Sequence, residues 1–162
     1  MEDSKEFIEV QRFRQWWLLL LMLLIALLFP AIIVYQSVTH QSVGNHPASN
    51  TGLFIIFIVL ILPLCLFFYF SKLTVKIDQD SIYYGFNFTS HTNLKWADIK
   101  NVAIIQYRFW GSGYKLSSRY GEIYNTQGNM GLQITKLNGG KILLGTQNPE
   151  ALKKFLESMG KI

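Results

Sequence analysis

Two long runs of apolar positions dominate the first half of the chain, and a different, two-residue rhythm takes over after Ser71. Trp16 to Tyr35 reads WWLLLLMLLIALLFPAIIVY, twenty residues without a charge. At about 1.5 Å rise per residue a helix of that length covers the roughly 30 Å hydrocarbon core of a bilayer. Leu53 to Phe70 adds eighteen uncharged residues; with Gly52 and Ser71 it too reaches spanning length. Lipid offers the backbone no hydrogen-bond partner, so both runs are predicted helical, with Pro30 and Pro63 marking kinks or local unwinding. A cleaved secretory signal fits poorly, because its apolar core is shorter and ends in small residues, whereas this one runs into Gln36, Ser37 and Val38. Burial of two all-apolar helices inside a soluble fold would need more surrounding chain than the 91 residues after Ser71.

The alternation that follows predicts strands. Leu73, Val75 and Ile77 interleave with Thr74, Lys76 and Asp78, and a turn at Gln79-Asp80 leads to Ser81–Phe86, a mixture of β-branched and aromatic residues. Further strands are expected at Thr89–Trp96, Val102–Phe109, Tyr120–Thr126, Gly131–Leu137 and Lys141–Gly145. Asn138-Gly139 between the last two suggests a tight turn with positive φ at both positions. A helix closes the chain: Asn148 as cap, Pro149 at the first position, Glu150 near the positive dipole end, Leu152, Phe155, Leu156 and Met159 on one face, and Gly160 as the stop. About seven antiparallel strands and one C-terminal helix give the element order of a pleckstrin-homology-like barrel. The chain therefore divides into a cytoplasmic segment (1–15), a first span (16–35), an outer loop (36–51), a second span (52–71) and a barrel domain (72–162).

Charge sets the orientation. Lys5, Arg12 and Arg14 precede the first span, Lys72 and Lys76 follow the second, and the intervening loop holds no Lys or Arg. Positive flanks stay on the cytoplasmic side, which predicts both termini inside. Trp16, Trp17, Tyr35 and Tyr69 stand where interfacial aromatics belong. The overall charge of +5 conceals a division: residues 1–15 carry three basic and four acidic groups, while residues 72–162 carry twelve basic and six acidic, net +6. A basic domain beside an anionic leaflet is drawn to it. The basic residues are scattered and no binding motif accompanies them, so nucleic acid is not an expected partner.

Catalytic chemistry has little to work with. His40 and His46 lie in the loop, His91 in the domain, and Cys65, the one cysteine, inside the second span, where a thiol is an inert filler. No metal-ligand spacing, nucleophile elbow or phosphate loop occurs, and no cofactor is expected. The segment from Arg108 to Gly131 is the most distinctive, setting Trp110, Tyr114, Tyr120 and Tyr124 with Arg108, Lys115 and Arg119 among five glycines. Basic groups bond phosphate oxygens and amphipathic rings seat at lipid interfaces, so Arg108, Trp110, Tyr114, Lys115 and Arg119 are the candidate contacts for a lipid headgroup or a partner. The same glycines and aromatics would also serve merely to shape loops and plug a barrel.

Trp110-Gly111-Ser112-Gly113-Tyr114, Tyr124-Asn125, Gly128-Asn129-Met130-Gly131-Leu132 and Gly145-Thr146-Gln147-Asn148-Pro149-Glu150 give residues 73–158 a resemblance to small bacterial membrane proteins with a pleckstrin-homology-like domain. The resemblance implies a fold and a bacterial inner-membrane address, and no chemistry. The expectation is a non-enzymatic binding or scaffold module engaging anionic membrane lipid or a protein partner in the membrane. The alternative is an accessory subunit of a larger membrane complex such as a transporter.

Overall fold

The computed structural model describes residues 6–13, 15–41, 43–44, 48–89, 91–108 and 111–162. It comprises two units: residues 14–70, and a second unit built from residues 1–13 together with 71–162.

The first unit is a helical hairpin. Its helices run Trp16–Thr39 and Asn50–Phe70, each apolar and long enough to cross a membrane, and no residue in their most apolar stretches is buried. The first helix overruns its predicted end by four residues. Ser37 and Thr39 prolong it by donating their hydroxyls to the carbonyls of Ile33 and Tyr35, one turn back. The expected loop 36–51 shrinks accordingly, and Ser49 caps the second helix by accepting from the Gly52 N–H. Asn50 Nδ2 donates to Ser37 Oγ at 3.0 Å, and Phe29 packs on Phe57 with ring centroids 6.4 Å apart. Pro30 sits inside an unbroken helix, whereas before Pro63 the residues Phe57–Ile61 widen into a π turn in which the Leu62 N–H bonds back five residues to Phe57. Proline has no N–H for the carbonyl of Val59 and its ring crowds that group, so an extra residue in the turn relieves the clash.

Among its described residues the second unit holds nine strands in two sheets and one α-helix. Strands β1 (Phe7–Arg12), β2 (Lys72–Ile77), β3 (Ser81–Phe86) and β4 (Thr92–Lys95) form one sheet in that order. A short 3₁₀ turn at Trp96–Asp98 carries the chain to the other sheet, ordered β5-β8-β9-β7-β6, from β5 (Ile99–Gln106), β6 (Gly113–Ser117), β7 (Gly121–Asn125), β8 (Met130–Lys136) and β9 (Lys141–Thr146). This corrects the expected seven-stranded antiparallel barrel. There are two more strands, the sheets do not close into one barrel, and β7 pairs with β9 in parallel.

β1 is the larger departure from expectation, since residues 1–15 are expected to be no more than a flank of the first span. It pairs antiparallel with β2 from Phe7↔Ile77 to Arg12↔Lys72, so β1 and β2 are hairpin partners between which the whole helical hairpin is inserted. Including it lowers the domain's charge: residues 1–13 and 71–162 carry fourteen basic and ten acidic groups, net +4.

The core lies between the sheets and under the C-terminal helix, Pro149–Ser158. Leu73, Val75 and Ile77 of β2 face Phe86, Tyr84 and Ile82 of β3 across the sheet, and all six are buried. Leu132, Ile134, Ile142 and Leu144 supply the second sheet, and Leu152 and Leu156 the helix, while Ile123 and Leu143 pack with Tyr107 and Tyr120 in a separate cluster on the sheet's other face. Asn148 caps that helix through the Ala151 N–H, and Gly160, at φ 65°, ends it with Lys161 N–H bonding to Leu156 O. The Asn138-Gly139 turn is a three-residue loop, Leu137–Gly139, with positive φ at Gly139 alone.

Candidate functional site

The sequence-predicted contacts are spread along β6 and its neighbours. Trp110 lies outside the described residues. Arg108 is exposed just beyond β5. Tyr114 and Lys115 are consecutive on β6 and so point to opposite faces. Tyr114 is half exposed, its ring 5.1 Å from that of Tyr124. Lys115 is partly buried, which lowers the pKa of its amine, and its Nζ fills the space beside Gly111 where a Cβ would otherwise stand. Arg119 sits at the far end of the β6–β7 hairpin, its guanidinium 5.2 Å from the Tyr120 ring centroid. Lys115 and Arg119 thus make separate contacts within the domain.

The aromatics do converge. Tyr124 of β7 contacts Tyr84 and Phe86 of β3 at 5.1 and 6.2 Å between centroids, and Phe86 in turn stacks on Phe13 and Phe88 at 5.9 and 5.2 Å. These rings weld one sheet to the other. Desolvation, reinforced by Glu122, pushes the Tyr84 phenol up to about 12 and raises Tyr124 further still. Tyr124 also donates to Glu122 Oε2 at 3.2 Å.

The two motif segments singled out in the sequence meet at one end of the β8–β9 pair, where Met130 stands opposite Thr146. Residues 127–130 and Thr146, Gln147 and Pro149 wall a cleft of about 340 Å³. A second groove of about 480 Å³, between β5 and the C-terminal helix, shares Met130 and Pro149 with it. Behind the cleft wall stands a polar network that the sequence reading missed. Thr146 Oγ1 and the Gln147 N–H donate to the two carboxylate oxygens of Glu9, each at 2.6 Å. Gln11, 1% exposed, donates from Nε2 to Gly145 O at 2.6 Å and accepts from Thr126 Oγ1 at 2.9 Å. Gln147 Nε2 donates to that same Thr126 hydroxyl at 3.2 Å. Glu9 and Gln11 of β1 therefore bridge the first sheet to the end of β9, and the Gly145-Thr146-Gln147 piece is a receptor for the N-terminal strand.

No family model, no curated protein and no solved structure matches the chain. The geometry alone carries the functional reading. Among the described residues no three His, Cys, Asp or Glu side chains gather as a metal site. His91 stacks on Tyr83 at 4.9 Å between centroids, and His46 lies outside the described residues.

What sequence reasoning could have used is the heptad of alternation FIEVQRF, Phe7 to Phe13. Its parity misleads, because Phe7, Gln11 and Phe13 turn inward with Glu9, while Ile8 and Val10 are 54% and 50% exposed.

Proposed function

We propose that this chain is a membrane-anchored, non-enzymatic binding module with both termini on the cytoplasmic side of a bacterial inner membrane and a basic, pleckstrin-homology-like domain that engages anionic lipid or a membrane-borne protein. The observation that carries the reading is the pairing of β1 with β2. One strand leads into the first apolar helix, the other leaves the second, and both belong to a single sheet, so two crossings return the chain to the side it left. Helices with a mean hydropathy of 3.0 and no buried residue in their most apolar stretches need a lipid or protein surround. The lysine- and arginine-rich flanks select the inner side, and the fixed neighbourhood makes weak contacts effective through high local concentration.

The full chain in its membrane tests this. In a Cys65→Ala background, an impermeant maleimide applied to intact cells labels Val43→Cys and spares Ile8→Cys and Asn138→Cys. Labelling of Ile8→Cys or Asn138→Cys from outside overturns the orientation. A second reading, an accessory subunit of a larger membrane complex, is favoured by the uncovered apolar surface of both long helices. It predicts co-migration with a larger assembly in mild detergent, where the binding module alone migrates as a small species.

A further inference from the structure

The end of the first sheet that adjoins the apolar helices along the chain carries two cations face to face. In the β1–β2 register Arg12 stands directly opposite Lys72. Both are exposed, and among the described residues neither forms an ion pair. Opposed side chains in an antiparallel pair have Cβ atoms about 5 Å apart, and like charges there destabilise the sheet. Two outward-facing positions along, past Thr74, the next lysine is treated differently: Lys76 pairs with Glu6 at 2.5 Å. The carboxylate of Glu9, the acidic group within β1, is taken by Thr146 and Gln147. The strand pair thus neutralises the cation farther from the helices and leaves the two nearest them unbalanced.

Chain connectivity limits where these cations can be. Three residues separate Arg12 from Trp16 and one separates Lys72 from Phe70, so their Cα atoms are at most about 14 Å and 7 Å apart. Helices that span therefore hold both side chains within reach of the phosphate layer, beside the interfacial candidates Trp16, Trp17 and Tyr69.

Resting on the membrane-anchored reading above, we infer that Arg12 and Lys72 form a two-cation seat for the phosphate of an anionic phospholipid headgroup on the side that holds the domain. The phosphate supplies the counter-charge the sheet lacks: the Arg12 guanidinium takes two oxygens as a fork and the Lys72 ammonium a third as a point charge. The lipid then stabilises the β1–β2 pair as well as being bound by it.

The test uses the purified full chain in nanodiscs of phosphatidylcholine alone or with phosphatidylglycerol, with unfolding of the domain followed by near-UV circular dichroism. The wild type is expected to melt higher in the anionic discs, by a margin that shrinks at 0.5 M salt. Arg12→Glu places opposite charges across the pair. It is expected to raise the melting temperature in neutral discs and abolish the gain from anionic lipid. Lys72→Gln, a milder change, weakens phosphatidylglycerol retention measured by native mass spectrometry about five-fold, and Arg12→Gln with Lys72→Gln about thirty-fold, while Lys76→Gln stays within two-fold. An Arg12→Glu protein that keeps the wild type's gain from anionic lipid, or a double variant that retains phosphatidylglycerol like the wild type, overturns the seat. So does equal stabilisation by inorganic phosphate in neutral discs, which would make it a soluble-anion site. Labelling of the domain from outside the cell would instead refute the cytoplasmic placement proposed above, and the two failures are read in separate experiments.

Discussion

Gln11→Leu is the sharpest test of the architecture, because one side chain joins two sheets. Gln11 is 1% exposed and its amide serves Gly145 O at 2.6 Å and Thr126 Oγ1 at 2.9 Å. Leucine matches the volume and offers neither a donor nor an acceptor. The Gly145 carbonyl and the Thr126 hydroxyl are then left without that partner in a dry interior, at about 1–3 kcal/mol each. Added apolar contact beside Leu73, its cross-strand neighbour, returns about 1–2 kcal/mol. The net loss is about 2–4 kcal/mol, which for a domain of this size lowers Tm by about 8–20 °C. The long helices stay helical in detergent, so the transition is followed by near-UV circular dichroism from the packed tyrosines. Val10→Thr, on the exposed face of the same strand, is the control and is expected within about 0.5 kcal/mol of wild type. A double-mutant cycle with Thr126→Val should return a coupling of about 1 kcal/mol. A Gln11→Leu protein that melts with the wild type, or a coupling of zero, would refute the claim that β1 is held to the second sheet by this network.

Three further outcomes follow from the same structure. Deleting residues 1–13 uncovers the β2 edge and removes Phe7 from the Phe155 ring, 5.9 Å away between centroids; the remaining domain is expected to lose its near-UV signal and bind a hydrophobic dye, and a native spectrum would show β1 to be dispensable. Gly121→Ala meets two obstacles, a φ of +77° and the backbone carbonyl of Lys141 in the space for the new Cβ; a loss of about 2–5 kcal/mol in chemical unfolding is expected, and a loss under 1 kcal/mol would argue against the parallel β7–β9 contact. Tyr84 has a folded pKa near 12 against an ordinary 10, so its contribution to stability is complete below pH 10 and is lost as pH climbs towards 12; absorbance at 295 nm should show Tyr84 and Tyr124 ionising only with unfolding, after the exposed tyrosines, and early ionisation of all tyrosines would contradict the packed aromatic junction.

The legibility of the sequence differed by element for physical reasons. β2 and the C-terminal helix were readable because each buries one face and leaves the other at least partly open to water, so period-two and period-3.6 patterns survive in Leu73-Val75-Ile77 and Leu152-Phe155-Leu156; β3, covered on both faces, was readable from its β-branched and aromatic residues Ile82, Tyr84 and Phe86. β6 was read as a functional loop because both its faces are at least partly exposed, with Leu116 72% accessible, and Gly113 opens it. The candidate contacts on and around it shared a stretch of chain, which brought them near in sequence; strand alternation then turned Tyr114 and Lys115 apart, and the hairpin carried Arg119 to its other end.

Local composition alone determined the two apolar helices, since runs of eighteen and twenty uncharged residues admit few other conformations in lipid, and it determined the caps of the last helix, whose groups bond within five residues. Strand partners were decided only by tertiary structure. The parallel β7–β9 pair and the β1–β2 pair join segments separated by a connection or by the entire helical hairpin, and no periodicity records which edge a strand will find. β1 adds a second reason. Its inward face carries Glu9 and Gln11, polar groups that only the Gly145-Thr146-Gln147 turn and Thr126 can satisfy. Buried polarity is favourable when its partners are supplied, and those partners lie more than a hundred residues away along the chain.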